Sequence, residues 1–298
     1  MDALVGEWLG LVIRWAHVIT GIAWIGSSFY FNWLDSKLRV PSPARDKVEG
    51  EAWLVHSGGF YRVEKIDVAP DELPAELHWF KWEAAFTWIT GFLLLVLLYH
   101  LGQGAFLQNA PEGFSDALGL LGLLVGLSIG WAIYDFTWKS KLGDRPMLAG
   151  GLLFVLLIVL AWGLSKYMTG QAAYLHVGAL LGTIMTANVW MRIIPAQRAL
   201  VAAAKAGTRP DARLGKEAKK RSIHNNYMTL PVVFIMLSTH FASTWGHEWN
   251  WAVLAALMLI GAGVRHGFNL RNRGRNGLWI LPLAALAMLV LYYVVRSS

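Results

Sequence analysis

The 298-residue chain contains no cysteine. That excludes disulfides, thiolate-held zinc or iron–sulfur clusters, and covalent c-type haem attachment through C-x-x-C-H. Any metal or haem must be held by His, Met, Tyr or carboxylate. Charge is also scarce: Asp, Glu, Lys and Arg make up 15% of the residues, against about 25% in a soluble domain. In their place stand 56% hydrophobic residues and sixteen tryptophans, with a mean hydropathy of +0.44. Such a chain has a bilayer as the solvent for much of its length.

A bilayer core requires about 20 apolar residues per helix. Runs of that kind predict eight spans, at about 8–33, 79–101, 116–138, 147–167, 171–194, 225–243, 249–268 and 276–295. The expected fold is therefore all-α, a single membrane domain over 1–298 built as an eight-helix bundle. Two connections are long and charged, 34–78 and 195–224, and the second reads as an amphipathic or mobile surface segment. All but Arg14, Lys166 and Arg296 of the 26 lysines and arginines fall at one end of these spans. The positive-inside rule makes that end cytoplasmic and puts both termini on the periplasmic side of a bacterial inner membrane. The start MDALVGEW is acidic and lacks a basic n-region, so span 1 is read as retained. The net charge of +7 is thus mostly topology and argues against nucleic acid as a partner; lipid is the partner it implies.

Placed by depth at about 1.5 Å per residue, polar residues inside the spans form two layers. The outer layer holds His17, His100, His176 and His240 on four helices. His100 and His240 stand near span ends, where an interfacial histidine is ordinary. His17 and His176 lie deeper, and intramembrane ionisable groups point to function. Neutral imidazoles facing one another across a bundle suit one or two b-type haems, and Arg14, three residues before His17, then suits a haem propionate. Arg14 snorkelling to the headgroups and a His-bound copper or zinc are the alternatives.

The inner layer lies at the basic ends of the helices. It comprises Asn32, Asp35, His78, Trp79, Trp82, Glu83, Asp135, Asn188, Arg192, Asn225, Asn226, Tyr227, Arg265 and His266. Amides and an arginine can pair with ring carbonyls and N–H groups, while Trp and Tyr supply stacking faces, so this layer suits a flat polar ligand. Glu83, with His78, Trp79 and Trp82 around it, reads as a partly desolvated proton acceptor. Together the layers predict an oxidoreductase that passes electrons outward from a cytoplasmic-side substrate. Two rivals share parts of the pattern: a b-type cytochrome oxidising quinol, and a transporter for copper or a purine.

Several stretches carry a resemblance. They are HVITGIAWIGSSFYFNWLD (17–35), EAWLVHSGGFYRVEK (51–65), LPAELHWFKWEAAFTWITGF (73–92), NVWMRIIPAQ (188–197) and SIHNNYMTLPVVFIMLSTH (222–240). Over essentially the whole chain the sequence resembles the bacterial membrane-bound urate oxidases of the PuuD type; VHSGGFY and LHWFKWEA are the specific strings. The resemblance implies oxidation of urate to 5-hydroxyisourate, with electrons passing to a periplasmic cytochrome c. Glu83, Tyr227 and His78 then become the catalytic candidates, and Asn225, Asn226, Arg192, Trp82, His56 and Tyr61 the urate-binding ones. The 56–65 segment reads as a lid over the pocket, with Gly58 and Gly59 giving a tight turn, or else as an interfacial amphipathic helix anchored by Trp53, Phe60 and Tyr61. The C-terminal cytochrome c domain typical of the family is not seen before Ser298. The acceptor is therefore expected to be a separate cytochrome or a domain beyond that point.

Overall fold

A computed structural model of the chain describes residues 2–66, 73–101 and 106–296. In chain order the elements are α1 (Ala3–Lys37), β1 (Val48–His56), β2 (Gly59–Ile66), α2 (Trp82–Leu95) and α3 (Asp116–Lys139). They continue with α4 (Pro146–Tyr167), α5 (Gly170–Asn188), α6 (Ile194–Lys205), α7 (Ala212–Ser238), a one-turn α8 (Ala242–Trp245), α9 (Asn250–Asn272) and α10 (Ile280–Arg296). Each of the eight sequence-predicted spans falls on a helix. Among the described residues six helical runs are long and apolar enough to cross a bilayer: Leu4–Lys37, Trp82–His100, Asp116–Lys139, Pro146–Tyr167, Gly170–Lys205 and Asn250–Asn272. The other two differ for plain reasons. α10 is apolar but has only 17 residues, and α7 carries the charged turns ARLGKEAKKR at its start.

The segment 195–224, read from sequence as amphipathic or mobile, is largely helical. α5 passes through a π-turn, Val189–Ile193, into α6, and α7 begins at Ala212 after a short turn. The π-turn has a cause in Pro195. A proline without an N–H, whose ring crowds the carbonyl four residues back, disturbs the helix just before it. A second π-turn, Val96–His100, ends α2 and sets the direction of His100.

The 48–66 segment is a β-hairpin, so the interfacial-helix reading is overturned and the all-α description gains one small sheet. Its strands, VEGEAWLVH and GFYRVEKI, are rich in β-branched and aromatic residues. Ser57 and Gly58 both take positive φ (48° and 77°), the two-residue turn whose twist matches that of paired strands. At the hairpin's base Arg45 bonds Glu64 at 2.5 Å and also meets Glu51. That bond to Glu64, before any other influence, holds the Arg45 guanidinium above its usual range.

α5 is the central helix, with eleven buried residues. One apolar cluster joins it to α2, α3 and α4 through Leu95, Leu123, Leu127, Ala149, Leu180 and Ile184. A second joins it to α4, α7 and α9 through Ala161, Tyr174, Val177, Ile235, Leu254 and Met258. Glycines permit the close crossings. A Cβ on Gly130 would stand 2.4 Å from Leu180, and one on Gly178 would stand 2.6 Å from Ile235. The outward faces of α1, α4 and α10 expose Leu, Val, Ile and Trp in rows, which is what a lipid-facing surface requires.

Gly170, the first residue of α5, gives a sharp test of this packing. A Cβ there would lie 1.9 Å from the Trp245 carbonyl oxygen, a backbone atom that cannot swing away. Gly170→Ala is expected to destabilise by about 1–3 kcal/mol or more, read as a lower thermal midpoint in detergent. Gly150→Ala, on α4 with nothing within 4 Å of the added methyl, is expected to hold or raise it, since Ala is the better helix former.

Candidate functional site

The basic helix ends carry two separate polar clusters. The first is centred on Asp135 of α3, which is 5% exposed. Arg192 approaches it as a fork, Nε donating to Oδ1 at 2.8 Å and Nη2 to Oδ2. Arg221 of α7 donates to Oδ1 at 3.0 Å, and Lys139 stands 3.1 Å from Oδ2. Behind this knot runs a neutral chain. Asn225 donates to the Met185 carbonyl, and Asn188 donates to Asn225 Oδ1 (2.8 Å) and to the Tyr134 hydroxyl (2.9 Å). Having accepted that bond, Tyr134 donates its own proton to His224 Nδ1 at 2.7 Å. α3, α5 and α7 are thereby clamped, and every acceptor of Asp135 is taken by a cation.

The second cluster joins α7, α9 and the end of α1. Asn226 Oδ1 accepts from Arg265 Nε at 2.8 Å and from Asn269 Nδ2 at 3.0 Å. The Arg265 guanidinium, 6% exposed, lies 4.0 Å over the Phe29 ring. Among the described residues no carboxylate comes within ion-pair distance of it, and Arg265 Nη2 and Asn226 Nδ2 are buried without an acceptor. Beside them opens a cavity of about 610 Å3, lined by Phe29, Trp33, Lys37, Arg39, Phe268 and Arg271 among others. This volume is in the range of small-molecule sites. A buried cation with donors to spare and aromatic walls can receive a flat anion: the fork pairs with its oxygens and the rings cover its faces.

The two clusters therefore divide the sequence-predicted residues. Asn225 and Arg192 belong to the Asp135 knot, whereas Asn226 belongs to the Arg265 cavity. Tyr227 is hydrogen-bonded to His266 Nδ1 at 2.7 Å on an exposed face. Glu83 opens α2 at the same end, with Oε2 buried and unpartnered and Oε1 4.0 Å from His78 Nε2. Trp82 is half exposed and meets Trp190 edge to face. His56 and Tyr61 are exposed at the far end of the hairpin, whose other end is tied to Arg39 through Glu51; the structure does not bring them to either cluster. Phe29, Tyr134, Arg221 and His224 complete the clusters without having been singled out from sequence. For the last two the signal was present, since Arg221, His224 and Asn225 recur at helical spacing.

The four outer histidines do not converge. His100 and His176 meet, both buried, with Nε2 atoms 3.0 Å apart and Phe106 packed against both rings. His176 Nδ1 donates to the Ala172 carbonyl at 2.7 Å, which fixes its tautomer. His100 Nε2 must then be the donor to His176, and His100 Nδ1 is left buried without a partner. His17 lies apart, its Nδ1 donating to the Thr87 carbonyl at 3.0 Å while its ring covers Gly91. His240 is exposed beyond the end of α7, and Arg14 is exposed on α1. Two neutral imidazoles on facing helices have the chemistry of axial haem ligands. As packed, however, the pair is too close: an iron held at about 2 Å from each nitrogen needs about 4 Å between them. His100 and His176 in this arrangement do not fit an iron.

Residues 3–296 match the model of the family described as "Urate oxidase N-terminal". No curated protein and no solved structure matches the chain. With nearly its whole length covered by that one family, this multi-helix chain belongs to the urate oxidase N-terminal family.

Proposed function

We propose that the chain oxidises urate at the basic, cytoplasmic end of an eight-span bundle with both termini outside, and that the electrons leave to a periplasmic cytochrome c. The observation that carries the reading is the buried Arg265, whose charge meets no carboxylate among the described residues and whose Nη2 has no acceptor beside a cavity of about 610 Å3. Removing a charge from water is costly unless it is paired, and urate, a flat monoanion, supplies both the pairing and the stacking surface. Arg265 and Asn226 hold the ring's oxygens, while Phe29, Trp33 and Phe268 cover its faces. The Asp135 knot sets the frame on which α7 presents Asn226.

Glu83 is the proposed base, with His78 beside it and the Tyr227–His266 pair relaying protons at the same end. Urate loses two electrons and two protons, water adds its oxygen at the oxidised ring carbon, and 5-hydroxyisourate results. Each cytochrome c takes one electron, so two are reduced per urate. Were haem b bound, His17 would be the residue to hold it, since its Nδ1 donates to a backbone carbonyl and leaves Nε2 as the basic nitrogen; His176 Nε2 already accepts from His100.

Reduced-minus-oxidised spectra of purified protein, with and without urate, test the reading. Bleaching of urate with matched reduction of cytochrome c is the expected result; reduction by quinol alone would reject it. The absence of a Soret band would show that the protein binds no haem. Glu83→Gln is expected to lower kcat about 10²- to 10⁴-fold with little change in KM, measured by urate absorbance under saturating cytochrome c.

A further inference from the structure

The second large cavity lies on the opposite side of the Asp135 knot, between the end of α3, the turn before α4, and α6 with α7. Its volume is about 640 Å3, and Lys139, Lys141, Arg192, Lys220 and Arg221 line it. Against these five cations stand Asp144 and Glu217 on the lining and Asp135 behind it. Two buried donors on its wall lack an acceptor. Arg221, 2% exposed, spends Nη2 on Asp135 and leaves Nη1 unbonded; Trp138, 8% exposed, leaves Nε1 unbonded. Lys220 lies over the Trp138 indole and donates to the Gly143 carbonyl at 3.2 Å. Lys141 has no carboxylate within ion-pair distance among the described residues. A wall of unspent N–H groups and lysines is what a phosphate oxygen requires.

The position says which phosphate. The cavity opens where α3 leaves the proposed bilayer, and next to it Phe136, Met147 and Met191 are exposed (70%, 90% and 55%). A headgroup held by the cations would lay its acyl chains along that apolar surface, as basic pockets at the cytoplasmic ends of membrane helices do. The neighbouring Arg265 cavity has rings for walls. This one has a single indole among lysines and arginines, which suits a tetrahedral anion better than a flat one.

We infer that this cleft binds the phosphate of an anionic phospholipid headgroup and so staples α3 to α6 and α7, outside the urate site. Purified full-length protein in a neutral detergent is titrated with phosphatidylglycerol, phosphatidylcholine or inorganic phosphate, and thermal midpoint and lipid adducts by native mass spectrometry are recorded. Phosphatidylglycerol is expected to raise the midpoint by about 5 °C at a hundredfold excess over Kd and to remain as a discrete adduct. Lys141→Gln and Lys220→Gln are each expected to weaken that binding about fivefold, while Lys141→Arg keeps it. Lys141 lies on a solvent-exposed turn, so its Gln variant reports binding even if Lys220→Gln fails to fold. An equal shift with phosphatidylcholine, a full shift with inorganic phosphate alone, or unchanged affinity in Lys141→Gln would each overturn the assignment.

Discussion

Arg265→Gln is expected to raise the KM for urate about 100-fold while leaving the urate-free protein as stable as before, or more so. The first half follows from truncating one partner of a desolvated charge pair, which costs about 2–5 kcal/mol, with 2.7 kcal/mol equal to about a hundredfold. The second half follows from the absence of a carboxylate beside Arg265 among the described residues: without ligand, its charge is a cost that the substitution removes. A glutamine amide can still donate to Asn226 Oδ1, the neutral partner that Arg265 uses now. Arg265→Lys keeps the charge but loses the planar fork, so its KM is expected to fall between the two. Steady-state urate oxidation, paired with thermal unfolding in the presence and absence of urate, reads both halves. If the KM is unchanged while the apo midpoint drops, Arg265 is a structural residue and the urate site lies elsewhere.

Much of this architecture was readable before any coordinates, for physical reasons. A lipid-facing helix must be apolar for about 20 residues, and α3, α4 and α9 meet that demand so plainly that their bounds agree with the predicted spans to within a few residues at most ends. The hairpin was hidden because VHSGGFY can serve a β-turn or a helix-breaking loop equally well; only the positive φ at Ser57 and Gly58 decides. Which polar residues lie near the same helix ends was readable as well: Asp135, Arg192, Asn188 and Asn225 do come together there. Facing was not. Asn225 and Asn226 are adjacent, so about 100° of helical rotation separates them, and they serve different clusters on opposite sides of α7. The same limit applies to the histidines. His100 faces His176, whereas His17 meets α2 at Thr87 and Gly91, more than two turns before His100 on that helix. Nor does sequence tell a spent arginine from an unspent one: Arg192 and Arg265 look alike until Asp135 is found beside the first.

That contrast yields the largest expected loss of stability, at Asp135. Its carboxylate is the shared counter-charge of Arg192, Arg221 and Lys139. Arg221 has only 3% of its side chain exposed, so it cannot turn to water when the carboxylate goes. Asp135→Asn leaves that guanidinium buried and uncompensated, a loss of about 3–5 kcal/mol. Lys139 is half exposed and should contribute little to it. A second substitution separates charge from packing. Arg221→Gln in the Asp135→Asn background removes the stranded cation, so the double variant is expected to be more stable than Asp135→Asn alone, although each single change destabilises. A strictly additive pair in thermal unfolding would mean that the carboxylate and Arg221 act independently, and the clamp across α3, α5 and α7 would be wrong. The knot also has a functional reach, because α7 carries Asn226 five residues beyond Arg221. A displaced α7 moves the Arg265 cavity, so Asp135→Asn should weaken urate binding as well, through position, with recovery in the double variant following recovery of stability.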